Sequence, residues 1–186
     1  MTFADLYART VIRRDWYVCG ERMLPLRVGH GRIIESLGLW LPHSWLDLMT
    51  CAWICARPAS LFRMPGGWSE RLAWRVRLWR LSRDPFPLHV RSWTQYVDHH
   101  TAVPVVTWSG NGKRSSTPPM VAIRAGLIGL GYSPETVDEA PMDLALVDYY
   151  SILESEGRVK VTGRTREELE EQIQNTRRYV QSLGKN

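Results

Sequence analysis

The stretch WLDLMTCAWICA, residues 45–56, leaves little polar surface for water. Leu46, Leu48, Met49, Ala52, Trp53 and Cys55 occupy most of the circumference of a helix. A helix apolar on most sides has to sit inside a body built from other elements. The run is about twelve residues long and contains Asp47, whereas a membrane span takes about 20 apolar residues. It therefore predicts a buried core helix. Ser44 stands before it and Asp47 three residues on, a capping box with Asp in place of Glu.

The flanking segments are short and end at Gly or Pro. Asp15–Cys19 (DWYVC) and Met23–Leu26 (MLPL) are β-type runs around Gly20-Glu21-Arg22, which predicts a small hairpin. Pro25 would confine its strand to an edge. VGHGRIIESLG opens a helical pattern with Ile33, Ile34 and Leu37 on one side, stopped by Gly38 and Pro42. Residues 57–67 read as a loop. SERLAWRVRLWRLS, 69–82, is a further helix with two apolar ridges. Leu72, Val76 and Trp79 form one, and Trp74, Leu78 and Leu81 the other. Arg71, Arg75, Arg77, Arg80 and Arg83 fill the gaps. From about Pro87 to His100, Val90, Trp93, Tyr96 and Val97 keep helical spacing. Residues 101–119, rich in Gly, Ser, Thr and Pro, predict a long loop that carries Trp108.

Pro119–Leu130 predicts a helix ending at Gly131. Five carboxylates then crowd into fourteen residues: Glu135, Asp138, Glu139, Asp143 and Asp148. Ser133-Pro134-Glu135 reads as an N-cap, a first-position Pro and an acidic first turn. Pro141 starts another helix with Asp143 in its first turn. There Met142, Leu146, Tyr149 and Leu153 form a stripe, Leu144, Val147 and Tyr150 lie beside it, and Asp148 lies off it. The carboxylates thus fall on caps and solvent faces, and no His or Lys converges on them as a catalytic pair would need. After a short RVKV run comes TREELEEQIQNTRRYVQSLG. Thr165 and Glu168 make a capping box. Leu169, Ile173, Thr176, Val180 and Leu183 step by 4, 3, 4, 3 as a narrow stripe. Acidic residues open this helix and Arg177 and Arg178 close it, as the helix dipole favours.

Charge divides the chain. Residues 1–130 carry 17 basic and 8 acidic groups, and residues 131–186 carry 7 and 11. The asymmetry fits an anionic partner, or self-complementarity between the two parts. Three cysteines make no disulfide framework, which predicts a reducing compartment. Charges interrupt the opening residues where a signal peptide needs an apolar run.

The remaining candidates for chemistry are weak. Residues 109–115, SGNGKRS, lack the Gly and the Ser or Thr of a phosphate loop, since Thr107 and Arg114 stand at those places. Cys51 and Cys55, four apart on a helix, read as small buried apolar residues rather than half a zinc site. Asp98-His99-His100 reads as a solvated helix end. No cofactor or metal is implied. The Arg-rich helix is the best candidate surface for an anionic partner. Its arginines could follow a phosphate backbone beside stacking tryptophans, or rest on an anionic membrane. The two apolar ridges are enough for a globular core, which favours a helix buried on its Trp/Leu side, with arginines that snorkel to water and pair with the acidic C-terminal part. Nine tryptophans exceed what one small core needs, which points to a contact surface.

Two stretches taken together resemble a known family. CGERMLPLRVGHGRIIESLG, 19–38, and GYSPETVDEAPMDLALVDYYSILESEG, 131–157, are similar to segments of the small α-helical tail assembly chaperones of tailed phages. The resemblance covers about a third of the chain and rests on packing motifs. It implies a non-enzymatic protein of the host cytoplasm that binds tape measure or tail tube proteins and is absent from the mature particle. Residues 57–118 match no part of that pattern, so a structural subunit retained in the virion is the alternative, and a nucleic-acid-binding module using the Arg-rich helix is the rival. The expected fold is mainly α: a helical body over 1–163 with an N-terminal β-hairpin, and an amphipathic C-terminal helix over 164–186. The expected partner surfaces are the five arginines, Trp108, and the stripe of Leu169, Ile173, Val180 and Leu183. A homo-oligomer is also compatible.

Overall fold

A computed structural model describes residues 15–102, 106–109, 117–161 and Gln174. Two strands, β1 (Trp16–Val18) and β2 (Glu21–Met23), pair antiparallel with Val18 opposite Glu21. Their turn is Cys19-Gly20, with φ of 52° and 72°. Two successive left-handed residues make the tight turn that suits the twist of a hairpin. The sequence places the turn later, at Gly20–Arg22. The non-glycine Cys19 adopting positive φ shortens the loop, and Pro25 falls beyond the strand.

Six α-helices follow among the described residues: α1 (Val28–Ser36), α2 (Trp45–Cys55), α3 (Trp68–Leu81), α4 (Phe86–His100), α5 (Pro119–Gly129) and α6 (Met142–Ser155). The fold is mainly helical with a small N-terminal hairpin, as the sequence predicts. Ser44 and Asp47 exchange the two hydrogen bonds of the capping box, at 3.2 and 3.0 Å. Seven of the eleven residues of α2 are buried, so the helix occupies the interior that its composition demands. Leu24 N–H donates to Cys55 O at 2.8 Å, and the Tyr96 hydroxyl donates to Leu24 O at 2.8 Å. These bonds tie the segment after the hairpin to both α2 and α4. Trp93 and Tyr96 are wholly buried, with Val90 and Val97 packed at the margin.

α1 turns a different side inward from the one its aliphatic residues suggest. Val28, Gly29, His30, Gly31 and Ile34 are buried, Ile33 is half-buried, and Leu37, just past the helix end, is half exposed. Two glycines let α1 come close to its neighbours. A Cβ at Gly29 would lie 2.8 Å from Asp138 O, and one at Gly31 would lie 2.5 Å from Met142 Cε.

Two further strands are β3 (Val106–Trp108) and β4 (Val159–Val161), paired antiparallel with Trp108 opposite Val159. The predicted loop over 101–119 therefore contains a strand, and the RVKV run is its partner. Residues 134–136 form a turn, and a 3-10 turn covers Val137–Glu139, where the sequence suggests a short helix. Ser133 caps the turn that precedes it, its hydroxyl accepting from Thr136 N–H at 3.1 Å. The helix expected over 164–186, with Leu169, Ile173, Val180 and Leu183, lies outside the described residues except for Gln174, which is helical and exposed. The loop compared with a phosphate loop also lies outside them beyond Ser109.

Candidate protein-binding face

α3 starts where Glu70 gathers donors. Its carboxylate accepts from Gly66 N–H at 2.9 Å and from both ends of the Arg63 guanidinium at 2.6 and 3.1 Å. Hydrogen bonds from Arg63, Gly66 and Gly67 hold the Glu70 carboxyl down to about 2. An anion at this end suits the helix dipole.

The helix is apolar on two sides. Trp74, Leu78 and Leu81 are half-buried and pack against the core. Trp74 meets Trp53 of α2 edge to face, with ring centroids 5.2 Å apart. Arg77 lies on this inner side, where its Nη2 donates to Cys19 O at 2.8 Å and its Nη1 pairs with Glu21. No residue of α3 is fully buried. The opposite side carries Trp68, Leu72, Val76 and Trp79, with Trp68 80% exposed and Trp79 57% exposed. At 100° per residue these four fall within one outward arc. Arg71 and Arg75 border the arc on one side and Arg80 on the other, and all three are exposed. Arg83, also exposed, lies over the Trp79 ring, 3.8 Å from its centroid.

The sequence reading has α3 bury both ridges and pair its arginines with the acidic C-terminal part. The structure separates these expectations. One ridge faces in and the other faces out. Among the described residues, Arg77 is the one of the five arginines in an ion pair, and its partner is in the hairpin. Spacing alone shows two ridges and does not say which neighbour exists to cover each.

Self-complementarity between the basic and acidic parts is real, and other residues carry it. Asp138 accepts from Arg32 at 2.6 Å and from Arg124 at 3.2 Å, and Glu139 pairs with Arg27. Arg32, Asp138 and Glu139 line an open cleft between α1, α5 and the two 3-10 turns, Ala59–Leu61 and Val137–Glu139. Asp143 caps Leu144 N–H at 2.9 Å, and burial raises its carboxyl. Asp148, expected off the apolar stripe, is buried and accepts from the Tyr132 hydroxyl at 2.9 Å. At least four of the clustered carboxylates thus have hydrogen-bonding or ion-pairing roles that join elements or cap a helix.

The other sequence candidates fall as follows. Trp108 is 60% exposed on β3. Cys51 and Cys55 are buried, and burial pushes both thiols up, Cys55 to about 12. His100 is buried rather than solvated, because the last turn of α4 packs its ring against Tyr96, centroids 5.0 Å apart. Among the described residues no group of three or more His, Cys, Asp or Glu is placed to hold a metal ion. No described helix is long and apolar enough to cross a membrane.

Comparison with family models, with curated proteins and with solved structures finds no match for this chain. The site therefore rests on its own residues. Sequence reasoning missed Arg77 as an anchor and His30 as a buried polar hub. His30 Nδ1 accepts from Arg27 N–H at 3.3 Å and its Nε2–H donates to Arg57 O at 2.7 Å. The Gly-His-Gly sequence was its one signal, since small neighbours leave room for a buried ring.

Proposed function

We propose that this chain is a non-enzymatic protein that holds partner proteins during assembly of a larger structure, with the outward face of α3 as its working surface. The observation that carries this reading is the row Trp68, Leu72, Val76 and Trp79, left uncovered among the described residues and bordered by arginines. Interface cores favour aromatic and aliphatic anchors, and arginine suits their margins. The resemblance to tail assembly chaperones supplies the class: a phage morphogenesis protein, with tape measure or tail tube proteins as partners and the host cytoplasm as its place of action. The test is affinity capture from the native host with nuclease added, where this reading expects tail or virion proteins on the tagged chain.

A second reading has one observation in its favour. Trp68 and Trp79 are exposed beside arginines, as stacking on single-stranded nucleic acid requires. Leu72 and Val76 at the centre of the row weigh against it, because aliphatic side chains give a phosphate backbone nothing to bind. Phosphate contacts predict affinity that falls steeply with salt, which a titration with labelled nucleic acid measures.

A further inference from the structure

We infer that the partner segment seated on the outward face of α3 is an acidic amphipathic helix, with its apolar stripe on Trp68, Leu72, Val76 and Trp79 and its carboxylates against Arg71, Arg75 and Arg80. This rests on reading that face as the working surface. Shape supplies the first argument. Leu72 and Val76 lie between two more exposed tryptophans, and an open hollow runs beside the row, lined by Trp68, Leu72, Ala73, Val76, Arg77 and Arg80. The row is about 16 Å long, which matches roughly three turns of a helix laid along it. Side chains three and four residues apart on such a helix fill the hollow as the ridges of one helix fill the grooves of another.

Charge supplies the second argument. Arg71 and Arg75 border the row on one side and Arg80 on the other, and Arg83 lies over Trp79 at its end. Among the described residues none of these four arginines has an ion pair. The two acidic residues of this stretch are engaged elsewhere: Glu70 is held by Arg63, and Asp84 Oδ2 lies 3.5 Å from His89 Nε2. An apolar row rimmed by cations on both sides is completed by a stripe rimmed with Asp and Glu. A second copy of this chain fits less well. A two-fold pair of α3 helices sets Arg71 and Arg75 against their counterparts when antiparallel, and Arg83 against its own when parallel. Like charges facing each other oppose docking.

The experiment captures partners on the full chain from its native host, with nuclease, and adds a zero-length carbodiimide that joins Lys to Asp or Glu. Arg71→Lys, Arg75→Lys and Arg80→Lys keep the charge and make each position linkable. Arg158→Lys, exposed beside β4, is the control. Mass spectrometry reads the linked peptides. The expected result is links from positions 71, 75 and 80, and not from 158, to carboxylates of one captured protein that alternate at helical spacing with apolar residues. Arg71→Glu with Arg75→Glu and Arg80→Glu should cut recovery of that protein about tenfold or more, with circular dichroism unchanged. No link from the three positions, links no more frequent than from 158, or links only to this chain's own carboxylates overturns the proposal. If that happens while Leu72→Asp with Val76→Asp abolishes capture, the acidic-helix proposal falls and the binding face stands. If capture survives those two substitutions, or the parent captures no protein, the reading of α3 as the working surface falls and this proposal with it.

Discussion

Arg77 on α3 donates to the carbonyl oxygen of Cys19 at 2.8 Å, so one side chain fastens α3 to the turn of the hairpin. The same guanidinium pairs with Glu21. Hydrogen bonds to charged groups contribute about 1.5–3 kcal/mol when buried, and partial exposure lowers that. Arg77→Ala should therefore destabilise the protein by about 1–2 kcal/mol. Arg71→Ala and Arg75→Ala, on exposed side chains, should stay within about 0.5 kcal/mol. Urea unfolding of the three variants checks the contrast, and equal effects would remove Arg77 from its anchoring role.

The two buried glycines of α1 should differ in their tolerance of alanine. At Gly29 a Cβ meets the backbone oxygen of Asp138 at 2.8 Å and the Cβ of Ala59 at 2.7 Å, neither of which can rotate away. At Gly31 it meets the flexible ends of Met142 and Met120. Overpacking costs about 1–3 kcal/mol, and Ala in place of Gly in a helix returns about 1. Gly29→Ala should lower the melting temperature clearly, and Gly31→Ala should change it little. Thermal unfolding of both variants measures this.

Tyr132→Phe removes the donor to the buried Asp148 carboxylate. The expected loss is about 1–3 kcal/mol, since a buried acceptor loses one of its hydrogen bonds. Denaturant midpoints at neutral pH test it, and a midpoint equal to the parent's would show that the bond contributes nothing.

Acid should destabilise the fold before its carboxylates are protonated. Burial lowers His30 and His100 from 6.5 to about 4, His30 while it accepts from Arg27 N–H. Both rings are neutral in the folded protein, and the unfolded chain binds protons first as pH falls. Their contribution is full above about 6.5 and is lost as pH drops from there toward 4, at up to about 1.4 kcal/mol per pH unit for each ring. Urea midpoints at pH 7, 5.5 and 4.5 should fall in that order, and a His30→Gln variant should show a shallower slope.

Much of the fold was legible in local sequence because local chemistry sets it. Ser44 and Asp47 cap α2, the composition of α2 buries it, and Trp93 and Tyr96 mark the inner side of α4. What escaped was long-range. Val106–Trp108 pairs with Val159–Val161 across some fifty residues, and three-residue strands carry no alternation to detect. Asp148 looked solvated because its partner, Tyr132, lies in the preceding turn. On α3 the spacing showed two apolar ridges and could not say that one of them, Leu72, Val76 and Trp79, would face outward. Periodicity reports which residues share a side; only the neighbouring elements decide whether that side is covered.

The most direct test of the central claim is capture from the native host, with nuclease, using the full chain and its Leu72→Asp/Val76→Asp variant side by side. Both positions are exposed, so the variant should keep the circular dichroism and urea midpoint of the parent. Recovery of tail or other virion proteins by the parent, and their loss from the variant, is the predicted result. The same partners on both chains would contradict the assignment of α3 as the binding face.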